Sequence, residues 1–323
     1  MSILRFALCS AIALAAVLQS LPAPCGETLQ SWVMTDADRR GVLPNDATGP
    51  ELRDLPIVLP PLSTEEEGTI RRVDGLEEKV AALTFDLCEL ATKTTGCDME
   101  TLDFLRRENI PATLFMGGKW MRTHASRVMQ IMGEPLFEIA SHAWTHGNFG
   151  IMDEFAMREQ VEWTQAEYAR LRGEALRLAA EGFAPQIPPV PVLFRLPYGR
   201  CSDSALKLLA GYGLTVIQWD VAAEMGKDNA MPQVAKSAAS LIRPGSIVLM
   251  HANLVPKGTA ALVRNLTAEL RRQGYRFARV SDLLRMGKPL RVRDGYFNSP
   301  GDNLMLDSRF GMDGTGRKAP ALR

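Results

Sequence analysis

The chain has 323 residues, 46% of them hydrophobic and 23% charged, with 37 basic and 37 acidic side chains. That length and apolar fraction suffice for one large globular domain or two small ones. The balanced charge argues against nucleic acid or an anionic membrane surface as a partner, and is compatible with a neutral substrate such as a glycan.

The N-terminus opens with Arg5 and an uncharged, Ala- and Leu-rich run from Phe6 to Ala23. This predicts an export signal over residues 1–26 and a periplasmic or extracellular location. The run is also about as long as a bilayer span of roughly 20 residues. Pro22 and Pro24 fit a cleavage region better than a spanning helix, so no membrane association is expected beyond export. Lipid attachment at Cys25 is disfavoured by Pro24, which stands where Gly or Ala is wanted. If Cys9 departs with the signal, Cys25, Cys88, Cys97 and Cys201 remain, an even set that permits disulfides in an exported chain. Cys88–Cys97 is the favoured pair because it closes a short loop, with free thiols as the alternative.

Residues 27–77 read as an irregular leader punctuated by Pro44, Pro50, Pro56, Pro60 and Pro61. Over 78–290, short apolar runs alternate with amphipathic stretches. The runs are Val80–Phe85, Ala112–Met116, Phe137–Ala140, Val192–Phe194, Leu214–Trp219, Ile247–Met250 and Phe277–Val280. Helices are expected near 98–108, 118–132, 152–180, 203–212, 231–242 and 258–273. Such alternation predicts an α/β fold with a parallel sheet. About seven strands without a glycine-rich nucleotide loop favour a (β/α) barrel over a doubly wound sheet. The tail, 291–323, with Gly295, Gly301, Gly311, Gly314 and Gly316, reads as extended or disordered.

Chemistry-bearing residues collect at the ends of the predicted strands, where barrel enzymes build their sites. His142 and His146 follow the third run. Four residues apart on a helical turn, they would face the same way and could share a divalent metal. His251 ends the run at Ile247–Met250, where an imidazole can exchange a proton near neutral pH. Asp86 ends the first run as a base or ligand, with Glu89 three residues on. Arg195 could hold a carboxylate in one orientation. The Pro197-Tyr198-Gly199 turn could aim a backbone N–H at a developing oxyanion. His124 has no strand-end position and is expected on a helix surface.

Thr84-Phe85-Asp86, His142-x-x-x-His146, Arg195-Leu196-Pro197-Tyr198-Gly199 and Leu249-Met250-His251 occur in the order of the polysaccharide deacetylase family, also called carbohydrate esterase family four. The segments Ile110–Phe115 and Gly274–Phe277 also look like it, so the resemblance covers about residues 78–286. It implies a distorted, incomplete (β/α) barrel and metal-dependent removal of acetyl groups, zinc being the expected ion and an N-acetylated polysaccharide the expected substrate. By position, His142 and His146 would bind metal and His251 would be the general acid. Asp86 would be the base, Arg195 would orient it, and Tyr198 would give its N–H to the oxyanion.

Two departures stand out. The family's second aspartate, a metal ligand, is Leu87 here, and Cys88 replaces its glycine. Glu89 is the carboxylate assigned to the vacated ligand position, with Asp86 as the alternative. The second departure follows Trp219: the resemblance implies an aspartate there that tunes the catalytic histidine, but the run Asp220-Val221-Ala222-Ala223-Glu224 lacks the family's Asp-Trp ending, leaving Glu224 or Asp220 as candidates. Leu87 also favours a rival reading, a non-catalytic glycan-binding protein on a degraded deacetylase scaffold. A third reading keeps the hydrolysis but on an O-acetyl ester or a small amide.

Overall fold

The computed structural model describes residues 31–40, 44–51, 57–179, 186–225 and 228–314. The expected export signal, Cys9 and Cys25 lie outside them. Among the described residues ten strands are present: β1 Thr69–Asp74, β2 Val80–Leu87, β3 Ala112–Met116, β4 Phe137–Ser141, β5 Leu193–Phe194, β6 Thr215–Ile217, β7 Val221–Ala222, β8 Ile247–His251, β9 Arg276–Phe277 and β10 Lys288–Val292. They alternate with helices α1 Asp36–Arg40, α2 Met99–Arg107, α3 Gly118–Thr123, α4 Ala125–Met132, α5 Glu154–Leu178, α6 Asp203–Gly211, α7 Pro232–Leu241, α8 Thr259–Arg272, α9 Val280–Leu283 and α10 Met305–Phe310. The strand order is β10-β1-β6-β5-β4-β3-β2-β8-β7, with β9 beside β2. All pairings except β1–β10 are parallel. The sheet is a distorted, incomplete (β/α) barrel, as anticipated.

Each of the seven apolar runs contributes to a strand. The segment read as an irregular leader supplies a further one, β1, whose Ile70 and Val73 are fully buried. The tail is not simply extended. It holds α10, and Arg71 donates to the carbonyls of Tyr296 and Phe297 at 3.1 and 3.0 Å. Among the described residues, no helix is long and apolar enough to cross a membrane.

Side chains alternate across a strand, so each strand feeds two cores. In β2, Ala81, Leu83, Phe85 and Leu87 join a cluster that also contains Leu102 and Leu105 of α2, Trp120 of α3 and Leu262 and Leu266 of α8. Val80 and Ala82 instead join Phe115, Ala140, Leu193, Trp219, Ile247 and Leu249 inside the barrel. The parity carries forward: Asp86 follows Val80 and Ala82, Arg195 follows Leu193, and His251 follows Ile247 and Leu249. Helix entries are set locally. Asp98 accepts from Thr101 N at 3.1 Å and Asp153 from Ala156 N at 2.8 Å, a device worth about 1 kcal/mol per cap.

Candidate active site

Register builds the rim. Asp86 is the pairing partner of His251 across β2–β8 and of Phe115 across β2–β3. Met116 pairs with Ser141 and Ser141 with Phe194, which brings His142 and Arg195 to the same edge. Sheet-type bonds continue past the strands, from His142 N to Met116 O and from Arg195 N to Ser141 O.

Arg195 is fully buried and its guanidinium is fixed on three sides. It donates to Asp86 Oδ1 at 2.8 Å, to Ile217 O at 3.2 Å and to Gln218 O at 3.3 Å. Its plane lies 3.9 Å from the Phe115 ring centroid. Burial by itself would raise the Asp86 carboxyl, but the neighbouring imidazoles together with the charge and hydrogen bond of Arg195 outweigh it and hold the group below its ordinary value. Asp86 therefore stays ionised, in one orientation.

His251 is held just as firmly. Its Nδ1 lies 2.5 Å from Glu224 Oε2, and its backbone N–H donates to Glu224 Oε1 at 3.2 Å. Thr259 Oγ1 also donates to Glu224, at 2.5 Å. Burial would lower the imidazole, but the hydrogen bond and charge of Glu224 reverse the shift, so the protonated ring persists above its ordinary range. Of the two acids available after Trp219, Glu224 is thus the partner. Asp220 instead receives Ser246 Oγ and Ile247 N at the start of β8.

The histidine pair is differently placed from expectation. No helix spans residues 142–146. The rings meet through a loop in which Ala143 and His146 take φ values of 64° and 58°. Their centroids are 4.9 Å apart. Left-handed backbone at non-glycine residues is costly and collects at functional sites. His142 Nδ1 lies 2.9 Å from Arg195 O, which makes it the protonated nitrogen and leaves Nε2 with its lone pair. That Nε2 is buried without a hydrogen-bond partner, although Asp86 Oδ2 stands 3.3 Å away, and His146 Nδ1 is likewise buried and unpartnered. Burial pushes both imidazoles below their ordinary range, His146 strongly, so both are neutral rings with lone pairs to give.

Glu89 does not reach this pair. It is 1% exposed and sits behind the rim, accepting from Lys119 Nζ, Thr123 Oγ1 and Thr95 N, each at 2.9 Å. The fully buried Lys119 ammonium captures it, a partner 30 residues away that local spacing did not reveal. The expected Glu89 ligation is therefore incorrect. Cys88 stands there instead, the first residue past the end of β2. One donor atom each from Cys88, His142 and His146 lie within 4.8 Å of one another. Two neutral imidazoles and a thiol, two of them with unpartnered buried nitrogens, fit a divalent cation that accepts nitrogen and sulfur.

Cys88 and Cys97 are also not joined: both are free thiols. Cys97 Sγ turns to Met99 Sδ at 3.5 Å in the helix-side core, whereas Cys88 faces the rim. His124 is likewise not a surface residue. It is 6% exposed between α3 and α4, with Nε2 3.2 Å from Thr95 O and its ring 4.7 Å from Trp120.

The rim opens into a pocket of about 230 Å³ lined by Cys88, His146, Tyr198, His251, Asn253 and Phe310, among others. Tyr198 has φ 59° in the turn Pro197–Gly199, and its ring lies 4.3 Å from that of His146. The tail supplies a wall. Phe310 stacks on Tyr198 at 5.0 Å, Asn303 Nδ2 donates to Tyr198 O at 3.0 Å, and Asp307 takes Arg200 at 2.9 and 2.8 Å. A phenylalanine more than a hundred residues after its partner gives no local signal in the sequence.

The family model described as Polysaccharide deacetylase matches residues 74–217. A peptidoglycan-N-acetylglucosamine deacetylase of Bacillus cereus is 30% identical over 215 residues, which are 64% of this chain and 89% of that protein. A bifunctional xylanase/deacetylase of Pseudobutyrivibrio xylanivorans is 24% identical over 224 residues, and this chain spans 33% of its length. Among solved structures, a CE4 family pseudoenzyme from Bacillus anthracis superposes with a TM-score of 0.55 at 22% identity, over 69% of this chain and 70% of that one, a likeness of fold alone. With its motifs on one barrel rim and a relative matched over nearly its whole length, the chain belongs to the polysaccharide deacetylase family.

Proposed function

We propose that the protein is an exported, metal-dependent hydrolase that removes N-acetyl groups from a cell-envelope or extracellular polysaccharide. The observation that carries this reading is the meeting, at one edge of the sheet, of an oriented carboxylate (Asp86 on Arg195), an oriented imidazole (His251 on Glu224) and two neutral histidines with lone pairs. His142 and His146 would hold the ion, zinc being the best match to imidazole donors. When bound, a divalent ion of this type polarises a carbonyl and brings a water pKa to about 7.

The protein's own groups then divide the proton work. Asp86, ionised and pinned by Arg195, takes a proton from the attacking water. His251, kept protonated by Glu224, delivers one to the departing sugar nitrogen. The Tyr198 backbone N–H donates to the oxyanion. Arg195 and Glu224 move no proton; they fix the two groups that do. Such acid–base help is worth roughly 100- to 10,000-fold. Acetate release from N-acetylglucosamine oligomers and from peptidoglycan tests the reading; no release from either at saturating zinc defeats it.

Leu87 supports a second reading, a silent glycan binder, since a carboxylate ligand of the family is absent. Oligomer binding without acetate release would select that reading. Acetate released only from O-acetyl esters or small amides would keep the chemistry and change the substrate.

A further inference from the structure

We propose that Cys88 supplies a thiolate as the third protein ligand of the cation, completing a Cys88–His142–His146 set. The inference rests on the metal-dependent reading above. Position is its first support. Leu87 is fully buried in the helix-side core with Leu83 and Phe85, so the residue after Asp86 does not turn to the rim. Cys88, the first residue past the end of β2, lines the pocket with His146, Tyr198 and His251.

Convergence is the second. The three donor atoms lie within 4.8 Å of one another. Ligands of a tetrahedral zinc, at about 2.0–2.3 Å from the ion, stand about 3.5 Å apart. A shift of about 1 Å, within reach of small χ1 adjustments, closes the set. The third support is commitment elsewhere. Asp86 Oδ1 is bound to Arg195, and both Glu89 oxygens to Lys119, Thr123 and Thr95; among the described residues no carboxylate joins the group formed by Cys88, His142 and His146.

The surroundings suit a sulfur ligand. Asn253 Nδ2 donates to Cys88 O at 2.9 Å and lies 3.7 Å from Cys88 Sγ, placing an amide N–H beside the sulfur. On binding, the S–H proton leaves to solvent and a sulfur–metal bond forms, so the thiolate brings the one negative charge that the missing carboxylate would have brought. The set selects zinc and cobalt over magnesium, calcium and manganese, which favour oxygen donors.

The test is cobalt loading of the metal-free full chain, read by near-ultraviolet absorption and by metal content. Wild type is expected to take one Co²⁺ with a sulfur-to-cobalt charge-transfer band. Cys97→Ser should keep that band. Cys88→Ser should lose it and bind more than about 100-fold more weakly, beyond the loss usual for outer-shell partners. Cys88→Asp should bind Co²⁺ without the band, which also covers the case in which the serine variant does not fold. Co²⁺ bound by wild type without a thiolate band, a band that survives Cys88→Ser, or no metal bound at all overturns the proposal. A band without acetate release leaves the ligand assignment standing and defeats the deacetylase reading. Acetate release by a cobalt enzyme lacking the band does the reverse.

Discussion

The two halves of the rim differ in how completely their polar atoms are satisfied. On the proton-transfer side, Asp86 rests on Arg195 and His251 on Glu224, and Thr259 supports Glu224 in turn. Beside them, His142 Nε2, 3.3 Å from Asp86 Oδ2, and His146 Nδ1 are buried without hydrogen-bond partners. An unmade hydrogen bond on a buried polar atom costs about 1–3 kcal/mol. The first half is preorganised by the protein alone; the second keeps buried nitrogens unsatisfied. A fold bears such a cost where a ligand relieves it.

The proposed acid should show the largest effect. Replacing His251 with alanine is expected to lower acetate release by roughly 100- to 10,000-fold with little change in thermal midpoint. A variant with near-wild-type turnover removes His251 from the acid role. On the same side, Glu89→Ala separates scaffold from chemistry. It strands the Lys119 ammonium in the core, so a loss of about 3–5 kcal/mol in stability is expected while cation affinity in the folded fraction is unchanged. A parallel collapse of cation affinity would return Glu89 to the ligand set.

On the open half, zinc added to the chelated protein should raise the thermal midpoint, by about 2.7 kcal/mol of stability when free zinc is 100 times its dissociation constant. His146→Ala should abolish that increment, and an equal increment in that variant would place the ion elsewhere. For Glu224→Gln the readout is a pH profile. Glu224 holds the His251 pKa above its ordinary value, so removing the charge lets it fall. The alkaline limb of activity, where His251 loses its proton, should move to lower pH; the acid limb, set by Asp86, should stay. The linkage has the same sign: the stabilisation from the His251–Glu224 pair is present below the ordinary imidazole pKa and lost as pH rises through the elevated one. An unmoved alkaline limb disconnects the pair from catalysis. The smallest change is expected for Phe310→Ala, which removes a stacked ring worth about 0.5–1.5 kcal/mol and should raise KM a few-fold without altering kcat.

Much of this arrangement was legible before any coordinates. Val80–Phe85, Ala112–Met116 and Ile247–Met250 are apolar runs that end in polar residues, and strands with both faces covered read that way. Asp86, Arg195 and His251 come to the rim for that reason. The short strands β1, β7 and β10 were not legible, because they are recruited by pairing with distant neighbours rather than by a pattern of their own. His142 and His146 were identified, but with a helix as the means of bringing them together; two left-handed residues do that work. The assignment of Glu89 failed because it lies past the end of β2, where Lys119, Thr123 and Thr95 hold its carboxylate away from the histidine pair. Lys119 and Phe310 lay beyond local pattern, since their partners are 30 and 112 residues away along the chain.

The Tyr198 cradle has a further consequence. Asn303, Asp307 and Phe310 grip that turn by an amide, a guanidinium pair and a ring stack, and none of them belongs to the strand ends that carry the proton chemistry. Substitutions in residues 303–310 can therefore reshape the doorway and shift the Tyr198 turn while Asp86, His251 and their partners Arg195 and Glu224 stay in place. In this chain the shape of the entrance is thus written in a segment separate from the strands that hold the proton-transferring groups.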